Sequence, residues 1–312
     1  MLSALIVLGV TVSSVSASSI DYERLQALCA SDSFDVVVVG GDPEGIAAAI
    51  GAARAGARTL LVDTRSIPGG LLTRGWLNTI DLNLDRRGRP LNGGLFGELF
   101  SRLDDHSFDV ATMQELLEKM IENETNLSYY PGALSVLPIV GSDSRRLYQP
   151  GQTLCPDDRQ LSPDWFTEVP PQNPPASVPL SIQGVLIGQD RSQTVRVRAH
   201  TVIDATQDAD LAVAAGASFI RYGEDVWGSP RNMAATLVFR MSGVSTADWE
   251  RMCEDLRRKP GAAGLIGGTH RSVWGYGDVV QEYKPSSERI RLRALNMGRQ
   301  NDGSILVNAL LV

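Results

Sequence analysis

An α/β fold built on a parallel sheet is the reading this chain supports, and three observations carry it. The run Val36 to Val39 is apolar and β-branched without alternation, as in a strand buried on both faces. Glycines and a small-residue helix, IAAAIGAARAGA, follow at once. A second strand, RTLLVD, then ends on the acid Asp63. Strand, glycine turn, helix and strand in that order form a βαβ unit, and its terminal acid has a place in the nucleotide-binding version of that unit.

Each part has a physical reason. A chain leaving a buried strand must turn sharply into the helix, and Gly40 and Gly41 permit backbone angles and close approaches that a Cβ would hinder. The helix amino terminus offers N–H groups and a positive dipole end to a pyrophosphate. Gly45 and the alanines Ala47, Ala48, Ala49, Ala52 and Ala53 let the helix lie close to the sheet. Asp63, about 20 residues beyond the glycines, can accept from ribose hydroxyls. One position departs from G-x-G-x-x-G: its middle glycine is Asp42. A carboxylate there repels a pyrophosphate unless it points away. Asp42 is also a favoured helix N-cap, with Pro43 suited to the first helical position and Glu44 to the first turn, so capping is the expected role.

The 312 residues can bury a sizeable core and are expected to form two lobes. A net charge of -7 without a basic stripe argues against nucleic-acid binding. Cys29, Cys155 and Cys253 are far apart, and with three histidines they form no metal signature. Residues 1–18 are an apolar run closed by small residues, with Val15-Ser16-Ala17 like a signal-peptidase site. Export or anchoring through that segment is expected, although no Lys or Arg precedes it; an amino-terminal extension or a misassigned start codon, leaving a cytoplasmic protein, is the alternative.

Farther along, short helices are expected at Asp21 to Ala30, Leu95 to Leu103 and Thr112 to Glu122. The last has Met113, Leu116, Leu117, Met120 and Ile121 at core spacing. Strands are expected near Leu127 to Tyr130 and Ala133 to Ile139. Residues 150–179 hold eight of the 16 prolines and read as a surface insertion. A hairpin at Leu180 to Ile187 and Thr194 to Ala199 leads into a strand at Thr201 to Asp204. Beyond Ala217 come a strand at Ala235 to Met241, a helix at Thr246 to Arg258 and strands near Ile290 to Leu295 and Ser304 to Val312. The resulting division is 34–140 as the first part of a nucleotide domain, 141–180 as an insertion, 181–200 as a hairpin, 201–217 as a return strand and helix, and 218–312 as an incomplete substrate domain. The apolar stop at Val312 suggests the front part of a longer protein.

Two further motifs distinguish between dinucleotides: Pro68 to Gly75, PGGLLTRG, and Val202 to Ala217, VIDATQDADLAVAAGA. In the first, a glycine pair lets the backbone pass close to a flat or phosphate-bearing ligand, and Thr73 can donate to it. The second reads as a return strand brought back beside the first. Together with GGDPEG, VDTR, GWLNTID, DATQDAD, WGYGD and GRQNDGS, these motifs resemble the FAD-dependent oxidoreductase family of the glutathione-reductase-like superfamily over roughly Phe34 to Val312, outside the proline-rich insertion. The resemblance implies a Rossmann-like FAD-binding domain with a parallel sheet, plus an inserted or following mixed β-rich substrate domain. It implies FAD as cofactor, with pyrophosphate contacts from Gly40, Gly41, Asp42, Pro43, Glu44 and Gly45 and ribose contact from Asp63 beside Thr64 and Arg65. Gly69, Gly70, Leu71 and Thr73 would lie toward pyrophosphate and flavin, Ala133 or Leu134 near the adenine, and Ala205, Thr206 and Asp208 along the return strand. Family members usually continue past the point where this chain ends.

The expected activity is hydride or electron transfer between flavin and a small molecule, with an electron acceptor the residues do not identify. The alternatives are a noncatalytic nucleotide-binding fragment and an NAD-dependent dehydrogenase. For an anionic substrate the candidates are His270, Arg271, Tyr276, Arg291 and Arg293. The last two also alternate like solvated strand residues, and His270 like a loop histidine. No nucleophile motif, catalytic base or oligomeric state is legible.

Overall fold

The computed structural model describes residues 20–31, 33–104, 106–141, 181–189, 193–220, 235–258, 267–287 and 290–311. The apolar amino-terminal segment, Cys155 and the proline-rich insertion lie outside the described residues. No helix among the described residues is long and apolar enough to cross a membrane.

The first sheet comprises β1 (Phe34–Val39), β2 (Thr59–Val62), β3 (Leu127–Tyr130), β4 (Ser135–Gly141), β5 (Ser181–Gly188) and β6 (Thr194–Asp204), in the order β3-β2-β1-β6-β5-β4. β3, β2, β1 and β6 run parallel, and β5 and β4 extend the sheet antiparallel. Helices cover both faces. Val37, Val39, Leu60 and Val62 point toward α1 (Tyr22–Ser31) and α5 (Asp210–Ala214), packing with Leu25 and Leu211. Val38 and Leu61 point the other way, toward α2 (Pro43–Arg54) and α4 (Val110–Glu122), packing with Ile46, Ile50, Met113 and Leu117. This two-sided burial is why β1 reads as a continuous apolar run. A third helix, α3 (Gly94–Phe100), contributes Leu99 to the second core.

The expected hairpin strand and return strand are one element. β6 pairs antiparallel with β5 through Thr194 to Arg198, then parallel with β1 through Ala199 to Asp204. Val195, Val197 and Ala199 are buried along it, so the change of partner needs no break in the strand.

The second sheet is antiparallel: β7 (Thr236–Met241), β8 (Gly267–Gly268), β9 (Ser272–Gly275), β10 (Arg291–Arg299) and β11 (Ile305–Leu311), ordered β7-β11-β10-β9-β8. α6 (Thr246–Arg258) covers one face, where Trp249, Cys253 and Leu256 pack on Val273, Met297, Ile305 and Val307. A short α7 (Gly277–Val280) follows β9.

By strand alternation, Ser272, Trp274, Asn296, Gly298 and Asn308 point to the face opposite α6. That face meets the first lobe. The Ser107 and Ser272 hydroxyls lie 2.5 Å apart, and Asn78 packs on the bare Cα of Gly298. The Gln300 side chain accepts from the Val110 amide at 2.9 Å, and Asp109 accepts from the Asn301 amide at 2.8 Å. Asp109 also caps α4 by accepting from the Thr112 amide at 3.0 Å. One carboxylate thus ends a helix and joins the lobes.

Candidate functional site

The carboxyl ends of β1, β2 and β6 converge where the strand order reverses on either side of β1, the place at which open α/β sheets bind ligands. Gly40 leaves β1 at φ +114°, in the left-handed half of conformational space. Its amide donates to the Val62 carbonyl at 2.8 Å, and the Ala205 amide donates to the Val39 carbonyl at 2.8 Å. A Cβ on Gly40 would overlap the Ala205 carbonyl oxygen, and one on Gly45 would overlap the Gly40 carbonyl. The start of α2 is thereby drawn against the strand ends.

Asp63 follows β2 and is 3% exposed. Its Oδ1 accepts from the Arg65 amide at 3.0 Å, while Oδ2 is buried without a hydrogen-bond partner. Removal from water raises its carboxyl above the usual range despite the Arg65 amide and the nearby Arg74 charge. Gly41 lies directly over that open oxygen, where a Cβ would collide with it. The Asp63 backbone accepts from the Ala133 amide at 3.0 Å, and the Arg65 carbonyl from the Gly132 amide at 3.1 Å. These bonds bring the Ala133–Leu134 turn beside the acid. Thr64, Arg65 and Leu134 are exposed at its rim.

The loop after β2 closes back on β1. The Gly69 amide donates to the Gly41 carbonyl at 2.7 Å, and a 3-10 turn spans Gly70–Leu72. Leu71 is exposed, whereas Thr73 is buried and donates its hydroxyl proton to the Pro68 carbonyl at 2.5 Å. That proton ties the loop to itself, contrary to the expectation that Thr73 would donate to a ligand.

The capping role expected for Asp42 also needs correction. The residue occupies the N-cap position of α2, with Pro43 first in the helix, but its side chain makes no cap hydrogen bond. Its Oδ1 lies 2.5 Å from Arg74 Nη2, and the carboxylate packs against the bare Cα of Gly70. An arginine 32 residues away outcompetes the helix end because a charged partner is the stronger one for a carboxylate that is 7% exposed. Arg74 is the site residue that sequence reasoning missed. Its signal was the presence of two acids, Asp42 and Asp63, at adjacent strand ends, which require a cation once buried.

At the end of β6, Asp204 organises the return turn. It accepts from the amide and hydroxyl of Thr206 at 2.9 and 2.7 Å and from the Ala212 amide at 2.7 Å. The Thr206 hydroxyl oxygen accepts from the Asp210 amide at 2.7 Å. Ala205 abuts Gly40, Asp208 is exposed in the turn, and Gln207 donates to Glu44 at the start of α2.

The residues expected to meet an anionic substrate do not converge here. Arg291 and Arg293 are exposed on β10. Arg271 donates to the Asn301 side chain, and Tyr276 packs against the α6-side core. His270 sits in the β8–β9 turn, lining a groove with Trp249, Cys253, Arg257 and Arg299 on the α6 side. The Trp249 indole donates to the His270 backbone carbonyl at 3.0 Å, which fixes the turn against α6. Burial raises the Cys253 thiol and pushes Cys29 up to about 11, so neither is poised as a nucleophile. No group of metal-ligating side chains occurs among the described residues.

The model of the family described as FAD dependent oxidoreductase matches residues 35–145 and 167–310. The chain is 51% identical over 51 residues to the sarcosine oxidase subunit alpha of Rhizobium meliloti (strain 1021), a match covering 16% of this chain and 5% of that one. Among solved structures, Thermovibrio ammonificans THI4 is similar at 13% identity with TM-score 0.39, covering 80% of both chains. The myxobacterial halogenase CndH, described as a variant of FAD-dependent halogenases, is similar at 12% identity with TM-score 0.44, covering 90% of this chain and 53% of that one.

Proposed function

The chain belongs to the FAD dependent oxidoreductase family, and from that premise we propose that its strand-end cleft holds FAD and that it transfers hydride or electrons between the flavin and a small molecule.

One observation carries the placement of the cofactor. Asp63 keeps a carboxylate oxygen buried and without a hydrogen bond at the end of β2, directly beneath Gly41. The Arg74 guanidinium, 3.7 Å away, offsets its charge without hydrogen-bonding it, and a buried acceptor without a hydrogen bond costs about 1–3 kcal/mol, which supports a donor supplied by a bound ligand. A ribose diol supplies such donors. The first turn of α2 fits the same ligand, since the Asp42 side chain leaves its N–H groups uncapped.

In this reading the backbone at Gly40, Gly41, Asp42, Glu44 and Gly45 meets the pyrophosphate, with Pro43 shaping the turn. Asp63 takes the ribose, with Thr64, Arg65 and Leu134 along the adenosine. Gly69, Gly70, Leu71 and the Thr73 backbone border the pyrophosphate toward the flavin, while Ala205, Thr206 and Asp208 close the return side. Bound flavin supplies reversible hydride or electron transfer, and the chain supplies position, electrostatics and exclusion of water.

The substrate is proposed to dock on the second sheet's face opposite α6. There Trp274, Asn296 and Asn308 form one cross-strand row, and the His106 ring centroid lies 6.4 Å from that of Trp274. Amides and an indole favour a compound with hydrogen-bonding groups rather than a bare apolar one. Purified protein should carry or take up flavin, visible as the two-band flavin absorption, and reductant should bleach it. A protein that cannot be loaded with flavin would refute the reading.

A further inference from the structure

Asp42 and Arg74 form a pair that a glycine at the middle motif position would not need. The carboxylate makes no cap bond to α2 and lies 2.5 Å from Arg74 Nη2. The other guanidinium nitrogen, Nη1, is held by the Ile67 carbonyl and lies 3.7 Å from Asp63 Oδ2. One cation, fixed by its own loop, therefore serves two buried acids at the ends of adjacent strands. Gly70 is part of the arrangement because a side chain there would occupy the space of the Asp42 carboxylate.

We propose that Arg74 is a built-in counter-ion that allows a carboxylate to replace the middle glycine of the nucleotide motif. Without it, Asp42 would set a negative charge beside a doubly negative pyrophosphate and could turn back to cap the first N–H groups of α2. With it, the charge is neutralised and the helix end stays open. Arg74 is thus a positioning residue that acts through Asp42. The inference rests on the FAD reading for its functional consequence, whereas the charge compensation itself is a property of the protein without cofactor.

The test compares wild type, Arg74→Gln, Asp42→Asn and the double variant. Two readouts are used: FAD affinity from flavin fluorescence quenching, and the melting temperature of the FAD-free protein. Arg74→Gln should weaken FAD binding by about tenfold or more and lower the melting temperature, because it strands a buried charge. Removing that charge in Asp42→Asn/Arg74→Gln should recover at least about threefold of the lost affinity and part of the lost melting temperature, the remainder belonging to Asp63, which still lacks the Arg74 charge. Arg74→Gln behaving like wild type, or a double variant no better than Arg74→Gln, would overturn the proposal. If wild type itself takes no FAD, the cofactor reading fails, and the melting temperatures still decide whether Arg74 compensates Asp42.

Discussion

Gly40 and Ala205 meet backbone to backbone: a side chain on Gly40 would overlap the Ala205 carbonyl oxygen, and the Ala205 amide is already bonded to Val39. The contact joins the first strand to a return strand more than 160 residues away. Gly40→Ala combines that overlap with a φ of +114°, which an L side chain resists. It should cost about 2–4 kcal/mol of folding stability in urea unfolding and abolish FAD retention.

Asp63 is strained by its own burial, and this gives a pH signature. Its carboxyl is raised in the folded protein, so the charged form opposes folding at pH above the folded value, and the penalty vanishes below the ordinary carboxylate range. Asp63→Asn should therefore melt higher than wild type near neutral pH without FAD, with the difference closing as pH falls toward 4, about the ordinary carboxylate value. The same change should weaken FAD binding by about tenfold to a hundredfold through loss of a charged acceptor. A variant that melts lower at neutral pH would contradict the assignment of strain.

Asp109 serves two elements at once, so its loss should exceed that of an ordinary cap. Asp109→Ala removes the Thr112 cap bond and leaves the Asn301 amide without its carboxylate. About 2–3 kcal/mol is expected from equilibrium unfolding, against about 1 kcal/mol for a cap alone.

A variant at Trp274 distinguishes the proposed substrate face from the proposed cofactor cleft. Trp274→Ala lies on the second sheet, away from the strand-end cleft, so FAD affinity should stay within about twofold of wild type. Turnover with any substrate found should fall, chiefly through a higher KM, because the change removes uniform binding rather than a transition-state contact.

Much of the fold was legible because its signals are local. The apolar run of β1, the glycines and the alanines of α2 lie within twenty-one consecutive residues, and each dictates its neighbour's geometry. The convergence of three motifs was legible in the same way: Gly40, Gly41, Gly45, Asp63, Gly69, Gly70 and Ala205 meet in space. What escaped depends on distant partners. Asp42 reads as a cap until Arg74 is brought beside it, and β6 reads as two strands because its two halves pair in opposite senses. The second lobe was least legible. Which residues of β9 and β10 face inward is set by the face that α6 covers, and alternation alone does not fix that choice.

Whether the ends of β1, β2 and β6 form the FAD site is decided by a flavin titration of wild type beside Gly40→Ala. Wild type is expected to bind FAD with one saturable site per chain, not displaced by excess NAD, while Gly40→Ala binds none under conditions where it remains folded. Failure of wild type to bind FAD, or equal binding by a folded Gly40→Ala variant, would contradict it.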